Sequence, residues 1–291
     1  MDRRNVVTAV LCAVAAVGGS ALVTVLAPPD DGPAGQPAAA AASATPGPGG
    51  AASPAPAAAT SAPTAPAAGS APPAAGASKT GGAGAVSGVL FTGSDPGGHF
   101  CSATVVHSPG RSLIVTAGHC LATGGGLVPD QSVRFAPGYA DGKTPYGTWK
   151  IEQVWQDERW SDGADDDYDL SFARVAPDPQ GRRLEDVTGA AVLDTSGRTG
   201  EKVTVTGYPT GRTAPRTCTA VSVKVSDTIQ QFDCADFPTG TSGGGWIAAK
   251  DGRLVGVLTG GDTDAQSTST VLGMYALALY QRAADAAGTA G

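Results

Sequence analysis

Hydrolysis of an acyl bond by a protein hydroxyl needs three cooperating groups. These are a serine on an exposed turn, an imidazole to take its proton, and a carboxylate to hold the imidazole. Ser242 meets the first need, because Gly240-Thr241-Ser242-Gly243-Gly244 surrounds a hydroxyl with residues small enough for a tight turn. The chain has only three histidines, His99, His107 and His119. His119 lies in Thr116-Ala117-Gly118-His119-Cys120, directly after the apolar run Leu113-Ile114-Val115, so a strand end would present the ring and Cys120 could pin it. Asp169 leads the alternating segment Tyr168-Asp169-Leu170-Ser171-Phe172-Ala173. A carboxylate there can accept a hydrogen bond from one ring nitrogen and fix the tautomer, leaving the other nitrogen as general base. Asp165, Asp166 and Asp167 read as a solvated turn, and His99 and His107 as structural.

Chain order selects among the known arrangements. A Gly-x-Ser-x-Gly turn also matches the nucleophile elbow of α/β hydrolases, whose histidine follows the serine. No histidine follows residue 119. The subtilisin order needs an acid ahead of the histidine, and only Asp95 lies between the linker described below and His119. The order His119, Asp169, Ser242 remains.

These residues must be carried by short strands. Ser102–Val106, Ser112–Thr116, Ser132–Ala136, Trp149–Val154, Leu170–Val175, Lys202–Gly207, Thr219–Val225 and Leu254–Thr259 are rich in Val, Ile, Thr and aromatics, and Gly, Pro and Asp turns separate them. Such a pattern predicts an all-β barrel or sandwich. Only Met274–Ala287 has helical spacing, with Leu277, Tyr280 and Ala284 on one face. Helices and strands do not alternate, which disfavours a parallel α/β sheet.

The N-terminal part has another character. Arg3 and Arg4 precede an uncharged apolar run from Val6 to Ala27, the layout of an export signal and long enough to span a bilayer. Residues 1–27 are therefore either a cleaved signal sequence or a single transmembrane anchor, and both place the rest outside the cytoplasm. Residues 28–84 are almost wholly Ala, Pro, Gly, Ser and Thr and hold 12 of the 22 prolines, which predicts a disordered linker. Residues 85–291 suffice for one domain. The charges before residue 85 cancel, so the net charge of −7 falls on this domain, and nucleic acid is not an expected partner. Of five cysteines, Cys12 lies in the apolar run. Cys101, Cys120, Cys218 and Cys234 predict two disulfides, in any of three pairings, and no spacing suits a metal.

The chain resembles the trypsin/chymotrypsin-like serine proteases from about residue 86 to its end. The matching segments are His99-Phe100-Cys101-Ser102-Ala103, Thr116-Ala117-Gly118-His119-Cys120, Tyr168-Asp169-Leu170-Ser171-Phe172, Gly240-Thr241-Ser242-Gly243-Gly244 and Leu254-Val255-Gly256-Val257-Leu258-Thr259-Gly260-Gly261. The resemblance implies two perpendicular six-stranded antiparallel barrels with the triad between them, and a Cys101–Cys120 bridge. It also implies an oxyanion hole from the Gly240 and Ser242 backbone N–H groups. Protein or peptide is the implied substrate, with no cofactor, and the chain is expected to be a monomer. Thr241 and the absence of an Ile-Val-Gly-Gly opening depart from the animal digestive enzymes, as Gly245-Trp246 does from the common Pro after the glycine pair. The pattern stands nearer bacterial relatives such as glutamyl endopeptidases, although the histidines are too few for a glutamate-selective pocket. By position Asp236 would floor the specificity pocket and favour Arg or Lys, with Gly260 and Gly261 leaving its wall open and the Thr259 carbonyl holding substrate backbone. The competing expectation is a catalytically weak binding or signalling module on the same fold.

Overall fold

The structure is a computed structural model, which describes residues 83–123, 126–127 and 133–288. The signal or anchor segment and nearly all of the linker lie outside the described residues. Six strands close the first half into a barrel: β1 (Ser87–Thr92), β2 (Cys101–Val106), β3 (Leu113–Thr116), β4 (Val133–Pro137), β5 (Trp149–Gln156) and β6 (Ser171–Val175). Their spatial order is β1-β2-β3-β6-β5-β4, and β4 returns to β1 through pairs such as Leu90 with Phe135. Every neighbouring pair is antiparallel. Leu90, Ala103, Val105, Ile114, Phe135, Trp149 and Ala173 fill the interior. Strand β2 is buried along its whole length, because its other face meets the second half and the Ser242 turn.

The second half is an eight-stranded half-barrel sheet. Strands β7 (Lys202–Gly207), β8 (Arg216–Val221), β9 (Val223–Lys224), β10 (Ile229–Asp233), β11 (Gly245–Ala248), β12 (Arg253–Thr263) and β13 (Gln266–Thr270) run in the order β8-β7-β11-β12-β13-β10-β9. The eighth, Val192–Leu193, pairs with β12 in parallel. Val203, Val205, Phe232, Trp246, Val255 and Leu258 form its core. The C-terminal helix α1 (Met274–Gly288) lays Ala276, Leu279 and Ala283 onto Leu113, Val115 and Phe172, outside the first barrel. Tyr280 meets Phe172 edge-on at 5.8 Å. Burying a side chain such as Leu279 contributes about 2 kcal/mol, which fixes the helix to the halves it follows. Among the described residues, no helix is long and apolar enough to cross a membrane. The fold is thus mostly strands with one terminal helix, the trypsin-like double barrel.

Both disulfides form, Cys101 with Cys120 and Cys218 with Cys234. They fit an oxidising, extracytoplasmic compartment.

Candidate active site

His119 sits in a single 3-10 turn, Gly118–Cys120, at the end of β3. Its ring Nδ1 lies 2.7 Å from Asp169 Oδ2, while its backbone N–H donates to Asp169 Oδ1, also at 2.7 Å. One carboxylate therefore grips both the ring and the main chain of the same residue. Asp169 is 3% exposed and closes the 3-10 turn Asp166–Tyr168, just ahead of β6. Gln156 steadies this junction, donating to the Gly118 carbonyl at 2.8 Å and the Ser171 hydroxyl at 2.7 Å.

Ser242 comes from the other half. Its turn is flanked by Gly240 at φ +96° and Gly243 at φ +86°, values that only glycine adopts readily. A Cβ on Gly243 would run into the Ser102 carbonyl oxygen and the Thr116 hydroxyl, so the turn lies against β2 and β3 as closely as backbone allows. Ser102 ties the two halves together. Its N–H donates to the Ser242 carbonyl at 2.7 Å, its hydroxyl donates to the Gly240 carbonyl at 2.9 Å, and that hydroxyl accepts the Tyr208 N–H at 2.8 Å. The peptide N–H groups of the turn alternate in fate. Thr241 N–H goes to Pro238 and Gly243 N–H to Leu258, whereas those of Gly240 and Ser242 have no acceptor among the described residues. Nor does a hydrogen bond join the Ser242 hydroxyl to the His119 ring among them; such bonds are commonly long until substrate fills the site.

A cavity of about 230 Å3 opens beside Ser242, lined in part by Phe237, Leu258, Gly260, Gly261, Asp262 and Asp264. Across the Thr259–Gly261 segment a second cavity, of about 260 Å3, carries Asp166, Asp169 and Asp262. Neither cavity has a lysine or arginine in its lining. Asp236 stands apart from both. It is half-buried, with φ +74°, and the Arg212 guanidinium grips its carboxylate through two 2.6 Å hydrogen bonds, which hold its pKa below the usual carboxylate value. The loop carrying Asp236 therefore points it at Arg212 and Arg216, while the acids beside the serine, Asp262 and Asp264, come from the β12–β13 hairpin. Sequence reasoning passed over these two because exposed acids in a Gly/Thr-rich hairpin carry no signal of their own.

The other two histidines are engaged elsewhere. His99 is buried, with its ring nitrogens 3.0 Å from the Pro96 and Pro209 carbonyl oxygens, and His107 Nδ1 lies 2.6 Å from Glu185. Cys101, His119 and Cys120 cluster closely enough to suggest metal ligands. The two sulfurs are bonded to each other, so neither is a thiolate able to bind a cation.

Comparison with known proteins gives this geometry a class. The family model for the trypsin-like peptidase domain matches residues 101–257. Among solved structures, protease Anisep from Arthrobacter nicotinovorans is similar at 24% identity, covering 72% of this chain and 98% of that one, with a TM-score of 0.63. The thermostable serine protease AL20, from an extremophilic microorganism, is similar at 25% identity over 69% and 98%, with a TM-score of 0.62. A Glu endopeptidase shares the fold at 15% identity over 69% and 91%, with a TM-score of 0.56. No curated protein matches the chain significantly. The chain belongs to the trypsin-like peptidases. By class it is a serine endopeptidase, a hydrolase of peptide bonds.

Proposed function

We propose that the chain cleaves protein or peptide substrates outside the cytoplasm with Ser242 as nucleophile, His119 as general base and Asp169 as its orienting acid. The observation that carries this reading is the double grip of Asp169 on His119, ring and backbone together, opposite a serine turn with two unengaged N–H groups. Asp169 fixes the tautomer with the proton on Nδ1 and stabilises the imidazolium once it forms. As Ser242 Oγ attacks the scissile carbonyl, its proton passes to His119 Nε2 and the carbonyl oxygen becomes an anion. The Gly240 and Ser242 N–H groups receive that anion, each contributing about 3 kcal/mol to the barrier reduction. The imidazolium then returns its proton to the leaving amine, and water attacks the acyl-serine by the same route in reverse. Thr259 and Gly260 offer the extended edge on which substrate backbone lies.

The pocket next to Ser242 is acidic at Asp262 and Asp264, which supports substrates with cationic or neutral side chains over acidic ones. Neither Arg212 nor Arg216 lines the cavity. An extracytoplasmic site agrees with the two disulfides and with the basic-then-apolar N-terminal segment, whether that segment is retained as an anchor or cut.

A fluorophosphonate probe tests the reading on the intact protein. It should label the wild type at Ser242 and leave Ser242→Ala unlabelled. Absence of labelling in folded wild-type protein would return the chain to the binding-module class.

A further inference from the structure

The His119–Asp169 pair has a neighbour that the reaction scheme does not use. Among the described residues Asp169 receives two hydrogen bonds, both from His119, although an ionised carboxylate has about four lone-pair sites. Within the same junction the Trp160 indole nitrogen is buried and has no acceptor among the described residues. A buried donor without a partner carries its full desolvation cost, so its position asks for a reason.

Residue 118 supplies the geometry. A Cβ built on Gly118 would lie 2.5 Å from Trp160 Nε1 and 2.7 Å from Asp169 Oδ1. The indole nitrogen and the carboxylate oxygen thus crowd one point, and only the missing side chain leaves them room. The chain has also invested in the placement of the indole. Trp160 rides on the single helical turn Glu158–Ser161, capped by the Asp157 side chain, which accepts the Arg159 N–H. Arg159 closes back on Asp157 through two 2.7 Å hydrogen bonds and lies 3.5 Å from the centroid of the Tyr168 ring, one residue before Asp169.

We propose that Trp160 is a positioning residue for the catalytic acid, its indole N–H donating to Asp169 across the space left open by Gly118 in the working enzyme. The donation holds the carboxylate in the plane that suits the imidazole and keeps water from it. It also draws charge from the carboxylate, so the pull of Asp169 on the imidazolium is moderated. The proposal rests on the triad reading given above.

Two replacements in the full-length protein separate this role from packing: Trp160→Phe and the benzothienylalanine isostere at 160 (sulfur in place of N–H). Two measurements are made, steady-state kinetics on a peptide substrate and NMR titration of the His119 ring. The ionisable groups around the pair are Asp157, Arg159, Asp166, Tyr168, Asp262 and Tyr275, and all stay unchanged in each variant. Loss of one hydrogen bond to a charged group should lower kcat roughly tenfold with little change in KM. The NMR titration curve of the His119 ring should differ from that of the wild type, since a carboxylate with one donor fewer interacts more strongly with the imidazolium. The isostere keeps the shape of the indole, so an effect there belongs to the N–H. The idea is overturned if the Phe variant and the isostere keep both the wild-type kcat and the wild-type His119 titration, even with lowered stability. If even the wild type fails to turn over substrate, the protease reading fails, while the His119 titration still decides the role of Trp160.

Discussion

Removing each disulfide separately should cost similar stability but damage different steps of catalysis. Cys101–Cys120 spans a sequence separation of 19, and Cys218–Cys234 one of 16. The chain-entropy relation gives about 3 kcal/mol for either, because closure entropy varies only with the logarithm of loop length. For a domain of roughly 200 residues, each kilocalorie shifts the melting temperature by about 2–4 °C, so both double Cys→Ala variants should melt roughly 6–12 °C early. Activity should divide them. Cys120 directly follows His119, and Cys101 precedes Ser102, which holds the serine turn through two hydrogen bonds. Loosening that bridge should therefore lower kcat. Cys234 instead donates to the Ala265 carbonyl and stands beside the Phe237–Asp264 link that shapes the pocket wall, so its loss should act mainly on KM. Calorimetry and steady-state kinetics on the two variants check the pair of claims. If the Cys218/Cys234 variant loses as much kcat as the Cys101/Cys120 variant, or if neither melts early, the reasoning is refuted.

Three further outcomes are expected. Asp169→Asn should keep the fold but lower kcat by on the order of 10⁴, through the wrong histidine tautomer, as read by single-turnover kinetics. A peptide series varied only at the residue before the cut should rank Lys, Arg and neutral side chains above Glu, and the advantage of the basic residues over neutral ones should shrink in Asp262→Asn/Asp264→Asn; preference for Glu in the wild type would contradict the acidic pocket. The hydrogen bond from Arg159 holds the Asp157 carboxyl below its ordinary 3.8. Its folded-state pKa is depressed, so its contribution to stability is present above pH 3.8 and lost as pH falls through the folded value. Urea melts of Asp157→Asn should thus differ from wild type at pH 6 and converge with it toward pH 2.

The sequence made some of this legible and hid the rest for physical reasons. Ser242 stood out because it sits among small residues that allow a tight turn, and His119 because it follows an apolar strand in a chain with only three histidines to choose from. Apart from β1, the strands of the first barrel announced themselves through Val, Ile and aromatic residues, and the helix read as Met274–Ala287 forms as Met274–Gly288. Strands β1, β10, β11 and β13 escaped notice. Ser87–Thr92 and Gly245–Ala248 mix glycine with apolar residues, and Gln266–Thr270 is entirely polar, so none shows a clear apolar alternation of its own and their register is set by the strands they pair with. Asp236 reaches the pocket-floor position only by ungapped counting, which says nothing of where the loop turns the side chain; it faces Arg212. Trp160 gave no signal at all, since a tryptophan in a polar loop becomes meaningful only once Gly118 is seen to face it.

The contrast between Gly118 and Gly243 bears on how such a site can be built from two halves that share no sequence continuity. Each glycine removes a side chain where two segments come close. Gly243 lets the Ser242 turn press on the Ser102 carbonyl and the Thr116 hydroxyl, and Gly118 leaves the space that the Trp160 indole nitrogen and the Asp169 carboxylate both border. Thr116 and Ser102 are themselves linked, the threonine hydroxyl donating to the Ser102 carbonyl at 2.7 Å. That bond opposes movement of β2 relative to β3, which would carry the serine turn away from the histidine turn. The first barrel, closed on itself, supplies the rigid reference, and the second sheet is registered against it through Ser102, through the His99 ring beside the Pro209 carbonyl, and through the Tyr208 hydroxyl, which donates to the Ser87 carbonyl. The placement of the Ser242 turn then depends on this set of cross-links as well as on the stiffness of the second sheet.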